Sequence, residues 1–531
     1  MTVGRIRTAT AAALAAAVLA AAAGCSTPTD TADGAQGDDS FVIGIGNEPD
    51  TLSPLLGYGR NGNSKIFDGL LARDADLELR PALATGLPEV SDDGLTYTYT
   101  LREGVTFSDG KPFTAADVVF TYETILDEKT NNPNRGELDA LRAVTAEGDH
   151  TVVFTLKYPY APFAERTVLP IASRAVAGTQ DVNTGAYNTE PVGTGPYTLT
   201  GWSRGEKLSF RANPDYWGGA PEVAELTMAV IADDDIRATR LRSGDLDAAV
   251  LPPNLAETFS EDEDKVTVSA TSADFRGVTL PTGNEVTGDR AIRRALDIAV
   301  DRDAMVDGIL NGAGEPAHGP VPTGSPWFAE GTERKHDLAA AKELLDDAGW
   351  KPGPGGVRAR DGLKAAFTLW YPAGDKLRQE HALAFASDAK KAGIDVTVES
   401  GTWEVIEPAM ERDAVLAGGG NPADPDFDLY TLLHSELAGD GFHNMAHYAN
   451  EAVDRELEKG RRSADPDARA AAYDTVQREL RKNPGYVFLT HIDHVYVMAD
   501  DWTNVSTQVE PHEHGFGSGP WWNIEDWQRK Q

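Results

Sequence analysis

In Leu95-Thr96-Tyr97-Thr98-Tyr99-Thr100-Leu101 the leucines and tyrosines fall on one face and three threonines on the other. That period of two predicts a half-buried strand. Phe41-Val42-Ile43-Gly44-Ile45 predicts a shorter one that opens the folded part. The period then lengthens. After a turn at Ser108-Asp109-Gly110, Thr114 and Asp117 make a capping-box-like start, and Val118, Val119, Tyr122, Ile125 and Leu126 trace one helical face. Asp289 precedes Ile292, Ala295, Leu296, Ala299 and Val300 at helical spacing. Asp337 caps a helix over 338–348, and Gly349 stands where a left-handed cap is needed. Asp465-Pro466 opens another helix, carrying Tyr473, Val476 and Leu480. A strand over 366–371, a helix over 376–391 and a strand over 394–398 after Gly393 form a strand–helix–strand unit. Mixed elements in this order predict an α/β architecture.

The first forty residues break this pattern. Arg5 and Arg7 precede a run of small apolar residues over 11–23, followed by Gly24 and Cys25. A basic start, a short apolar stretch and small residues before a cleavage point describe an export signal. The run is shorter than the roughly 20 residues a membrane-spanning helix needs. Cys25 is the only cysteine of 531 residues, so it makes no internal disulfide. Ala22-Ala23-Gly24-Cys25 resembles the bacterial lipobox, with Ala22 where that pattern prefers Leu; the resemblance implies lipidation of Cys25. Residues 26–40, rich in Thr, Asp, Gly and Ser, are expected to be a flexible leash. The expected location is the extracytoplasmic face of the cell membrane.

A remainder of about 490 residues exceeds one compact core and predicts two or three lobes. The formal net charge of -36 disfavours nucleic acid and anionic lipid as partners. Catalytic motifs are missing: there is no Gly-x-Ser-x-Gly elbow, His-Glu-x-x-His pair or phosphate-cradling Gly-x-x-x-x-Gly-Lys loop. A secreted hydrolase is the remote alternative, and nothing singles out its acid or nucleophile.

Four ordered stretches carry a sharper signal. They run from Pro81-Ala82-Leu83-Ala84 to Asp109-Gly110-Lys111-Pro112-Phe113-Thr114; through Gly193-Thr194-Gly195-Pro196-Tyr197 with Asn213-Pro214-Asp215-Tyr216-Trp217-Gly218; over 290–302; and over 341–350. Together they resemble the solute-binding proteins of the peptide/nickel class of ABC importers, and the likeness runs from about Phe41 to the end. The resemblance implies a three-lobed periplasmic-binding-protein-like α/β fold, the class with an extra lobe II, and a ligand cleft between lobes I and III. Lobe I would gather 41–70, 191–275 and 489–531; lobe II would be 71–190, and lobe III 276–488. It also implies a monomer without cofactor or catalysis that closes on a short peptide and delivers it to ABC permease subunits. Tyr216 and Trp217 are expected to plug the lobe core.

Dipeptide binders of this class carry a Trp-x-Gly-Asp-Tyr-x-Asp-Pro-like stretch whose first Asp meets the ligand amine. The matching place is assigned to 427–441, where the Trp and the Asp-Pro are missing and Glu436 or Asp440 would replace the carboxylate, beside His434 and Ser435. Other expected cleft residues are Tyr58, Arg60 and Asn61 in the first loop, Arg174 as a carboxylate clamp, and Phe516, Ser518 and Trp521 in the last segment. The competing expectation is a nickel or other metal chelate: seven of eleven histidines follow residue 430, and His443 and His447 would share a face if their segment were helical.

Overall fold

The computed structural model describes residues 40–512 and 516–530. The export signal, Cys25 and the leash up to residue 39 lie outside the described residues.

Strand Ser40–Ile45 pairs in parallel with Glu225–Val230 on one side and with Ala248–Leu251 on the other. Lys207–Ala212 and Tyr197–Ser203 extend one edge, and His494–Ala499 and Lys265–Ala270 the other, to make a seven-stranded sheet. Its first strand is held by apolar side chains: Phe41 and Ile43 are buried, and Phe41 meets Trp527 edge-on at 5.4 Å. A six-stranded sheet runs in the order Gly314–Pro316, Tyr486–Ile492, Phe275–Thr279, Ala414–Gly419, Ala366–Pro372, Asp395–Gly401. The last three strands are mutually parallel.

The alternating stretch forms strand Thr96–Thr100 of a four-stranded antiparallel sheet, with Tyr97 and Tyr99 buried. Phe154 from the neighbouring strand packs on Tyr99 at 5.7 Å and on Tyr122 of helix Ala115–Leu126 at 4.9 Å. That helix starts as expected, the Asp117 carboxylate accepting from the Thr114 amide at 2.9 Å. Asp289, Asp337 and Asp465 cap helices Arg290–Ala299, Leu338–Asp347 and Pro466–Lys482. The strand–helix–strand unit is Ala366–Pro372, Lys376–Ala392 and Asp395–Gly401, with Gly393 left-handed at φ 89°.

Two short connections carry the chain between the seven- and six-stranded sheets: residues 271–274 and the single residue Asp493. The first is bonded to the strand end that leads into the second and to the C-terminal segment. Ile492 N donates to Asp274 O at 2.9 Å, and Ala273 N donates to Glu510 O at 2.8 Å.

Candidate functional site

A cavity of about 200 Å³ opens where three stretches converge: the loop from Asn61 to Arg73, residues 421–423, and C-terminal residues within 508–511 and 517–525. The first stretch is seated by glycines. A Cβ on Gly195 would lie 2.6 Å from the backbone of Lys65 and Ile66, so only glycine lets the 193–196 turn pack there. Thr194 of that turn donates to Asp68 at 2.8 Å, Trp217 Nε1 at 3.0 Å and Tyr216 OH at 3.2 Å. Burial pushes the Asp68 carboxyl upward against the pull of these three donors. Trp217 packs against the core as expected, and both Tyr216 and Trp217 also line the cavity. Lys65 reaches Glu525 at 2.8 Å. Arg73 holds Glu165 at 2.9 Å and the Asn61 carbonyl at 2.9 Å.

The opposite wall grows from the end of strand Ala414–Gly419. Gly420 and Asn421 lead into helix Pro425–Leu433, where Asp424 accepts from Asp426 N at 2.9 Å as the cap. Asp424 is paired with Arg469 at 2.8 Å and Asp426 with Arg461 at 3.1 Å. Asp428 accepts from the Asn421 amide at 2.7 Å, and burial pushes its carboxyl up to about 7, against that bond and the charges of Arg166 and Arg60. Asn421 Nδ2 then donates across the cavity to Asn61 Oδ1 at 3.3 Å.

The stretch that lines this wall also matches the dipeptide-type pattern more fully than 427–441 does. Residues 418–425 read Gly-Gly-Gly-Asn-Pro-Ala-Asp-Pro, so the third-position Gly and the Asp-Pro are present at Gly420 and Asp424-Pro425. Gly418 stands in place of the Trp and Asn421 in place of the amine-binding Asp. The Asp-Pro dipeptide was the signal that could have found it.

Among the expected cleft residues, Asn61 and Ser518 line the cavity. Tyr58 is partly buried and packs against the apolar core. Arg60 is an ion-pair partner of Glu137, and Arg174 opens a short helix with its side chain exposed. Phe516 packs on Phe210 at 4.6 Å, and Trp521 meets Tyr496 edge-on at 5.1 Å. His434 is buried and stacks on Tyr430 at 4.4 Å, and Ser435 bonds Asp454 at 2.7 Å. Glu436 and Asp440 are exposed and do not line the cavity. The segment holding His443 and His447 is a chain of turns, with His447 at φ 48°, so the shared helix face does not form. Among the described residues, no group of three or more His, Cys, Asp or Glu could hold a metal ion.

Sequence reasoning missed a buried polar cluster beside the two connections. Asp274 accepts from His512 Nδ1 at 2.6 Å, lies 3.3 Å from His494 Nε2 and pairs with Arg276. Glu510, on the cavity wall, pairs with His494 Nδ1 and accepts from Tyr496 OH at 2.8 Å. Burial would lift the Asp274 carboxyl, but the charges of Arg276 and His512 hold it well below the usual range. Burial would lower His494, but bonds to Asp274 and Glu510 raise it to about 9.

The model for bacterial extracellular solute-binding proteins, family 5, matches residues 78–440. The chain belongs to this family. Its members are extracytoplasmic substrate-binding proteins of ABC importers for peptides or nickel. Protein XP55 of Streptomyces lividans is 68% identical over 501 residues, covering 94% of this chain and 92% of the relative. NikZ from Campylobacter jejuni, solved in complex with Ni(L-His), is 28% identical at a TM-score of 0.82, covering 92% of this chain and 99% of that one. The oligopeptide-binding protein AppA from Bacillus subtilis, solved with a nonapeptide, is 26% identical at a TM-score of 0.79, covering 93% and 99%. Both solved structures share the mixed α/β fold. Among the described residues no helix is long and apolar enough to cross a membrane.

Proposed function

We propose that this chain is a lipid-anchored receptor, monomeric and without catalytic turnover, that captures short peptides and passes them to an ABC permease. The observation that carries the peptide reading is the 418–425 loop. Asn421, Pro422 and Ala423 of this stretch line the cavity, with Asn421 bonded to Asn61, and its Gly420 and Asp424-Pro425 resemble the recognition stretch of dipeptide binders. An extended peptide laid along a strand end gains main-chain hydrogen bonds, while wet side pockets accept varied side chains. Likeness to AppA over nearly the whole chain supports the same class. In this reading lobe I comprises 41–70, 191–275 and 489–531, lobe II 71–190 and lobe III 276–488, with the 271–274 and Asp493 connections as the hinge.

The metal-chelate alternative draws on NikZ. With no protein metal cluster among the described residues, such a chelate would bring its own ligands. Thermal denaturation with peptide mixtures of two to nine residues, and separately with nickel plus free histidine, decides between them. A peptide at a hundredfold excess over its Kd should stabilise the protein by about 2.7 kcal/mol. Stabilisation by nickel–histidine alone would replace the peptide reading with the chelate one.

A further inference from the structure

We propose that Tyr160, Arg166, Asp426, Phe427 and Arg461 form a latch that holds the cleft closed from outside the solute cavity. This rests on the reading that the 271–274 and Asp493 connections are a hinge, and it holds whatever the solute is.

The latch crosses between parts of the chain that only those connections join covalently, residues 275–492 and the remainder. On one side, the segment after strand Thr151–Leu156 carries Tyr160 and, in the turn Ala161–Val168, Arg166. On the other, helix Pro425–Leu433 carries Asp426 and Phe427, and helix Glu451–Arg462 carries Arg461 as its penultimate residue. Both helices are seated on the six-stranded sheet: Leu429, Leu433 and Leu457 share a core with Phe275 and Phe488.

Phe427 departs from that arrangement. It is 7% exposed, and among the described residues it is the only buried one of 275–492 in the core of the seven- and four-stranded sheets. The Arg166 guanidinium covers its ring at 3.6 Å. Asp426 beside it is 1% exposed and accepts from the Tyr160 hydroxyl at 3.0 Å. A ring thus enters one part and a hydroxyl enters the other. Arg461 lies over the Tyr160 ring at 5.1 Å. Each part therefore lays an arginine on a ring of the other, an attraction that strengthens where water is excluded.

Two features suit the contact to release. Asp426 also accepts from Arg461 at 3.1 Å and from the Tyr473 hydroxyl at 3.3 Å, both on its own side, so parting from Tyr160 strands no charge. Arg166 Nε and Arg461 Nε are buried with no hydrogen-bond partner among the described residues, and opening would let water reach them. Buried donors in a permanent core are almost always paired.

None of the five residues lines the cavity. Helix Pro425–Leu433 nonetheless begins two residues after wall residue Ala423, so seating Phe427 carries the 421–423 wall toward Asn61. Closure then draws on two sources, the solute and the latch. The strength of the latch sets how much of the closing the solute must drive.

The test places spin labels at Leu87→Cys and Leu383→Cys in the full Cys25→Ala chain, because both leucines are more than half exposed, one on each side of the latch. Pulsed dipolar spectroscopy counts open and closed molecules as a tripeptide mixture, or nickel plus free histidine, is added. Tyr160→Phe removes only the hydroxyl and Phe427→Leu only the ring. Each should raise the open-to-closed ratio without solute by about fivefold or more. If the native protein is already open there, the same factor should appear in the solute concentration that closes it. Melting curves like the native one show that the variants fold, and Tyr160→Phe carries the test if Phe427→Leu does not. If solute closes the native protein but the substitutions move neither the ratio nor the closing concentration, the latch is overturned and the hinge stands. If neither solute nor substitution changes the distance, the hinge reading fails and the latch with it.

Discussion

His494 shows how far a buried setting can move one side chain. It sits between Asp274 and Glu510, and the two carboxylates raise it to about 9, above the ordinary value near 6.5. A raised histidine stabilises the fold fully below about pH 6.5, and that contribution is lost as pH rises through about 9. His494→Gln should therefore lose about 3 kcal/mol at pH 6, because two buried carboxylates lose their shared cation, and much less at pH 9.5. Denaturant unfolding at the two pH values measures this. An equal loss at both would mean that His494 acts through packing alone. The same cluster spans the two connections between the sheets, so its titration bears on the segments that would bend when the cleft closes.

At the scale of elements, two glycine-bearing segments adjoin stretches of the cavity wall, at 65–69 and at 421–423. The 193–196 turn lies against the backbone of 65–66, and its Thr194 hydroxyl holds Asp68 in place. Gly195→Ala would force a methyl to within 2.6 Å of two backbone atoms and push the turn away from the wall. Overpacking of this kind costs about 1–3 kcal/mol. The expected result is a lower melting temperature together with weaker peptide binding. A melt and affinity like those of the native protein would show that the turn can shift freely. At the other end the 418–420 run is packed on the protein itself: a Cβ would meet Arg378 and Arg276 at Gly418, the Phe275 ring at Gly419 and the Ala273 carbonyl oxygen at Gly420.

For the molecule as a whole, net charge bears on the proposed anchorage. A formal charge of -36 repels anionic lipid, so the proposed attachment would rest on a covalent anchor. The diacylglyceryl group expected at Cys25 supplies two acyl chains, enough for a lasting anchor where one chain would hold only marginally. Cys25→Ala should release the protein into the medium with peptide binding unchanged, as fractionation and calorimetry would report. Retention in the membrane fraction would refute lipidation at Cys25.

Capping residues and periodicity were enough to place the strand at Thr96–Thr100, the helices started by the Thr114–Asp117 box and by Asp289, Asp337 and Asp465, and the 366–401 strand–helix–strand unit, because cap bonds join residues a few positions apart and the apolar period is written in neighbouring positions. Four ordered motifs were enough for the family, since they record turns and close packing that the fold cannot do without. The binding residues were a different matter. Asn61 and Ser518 were legible from their place in the chain, but Glu436 and Asp440 were chosen because they are acidic, and the structure leaves both in solvent. Arg276, Arg378, Asn421, Glu510 and His512 look like ordinary surface residues in the sequence. Only tertiary structure gathers them, because strand register sets Arg276 against Gly418 and the connections between the sheets bring Glu510 and His512 to Asp274. Contacts between residues so far apart in sequence leave no local pattern to read.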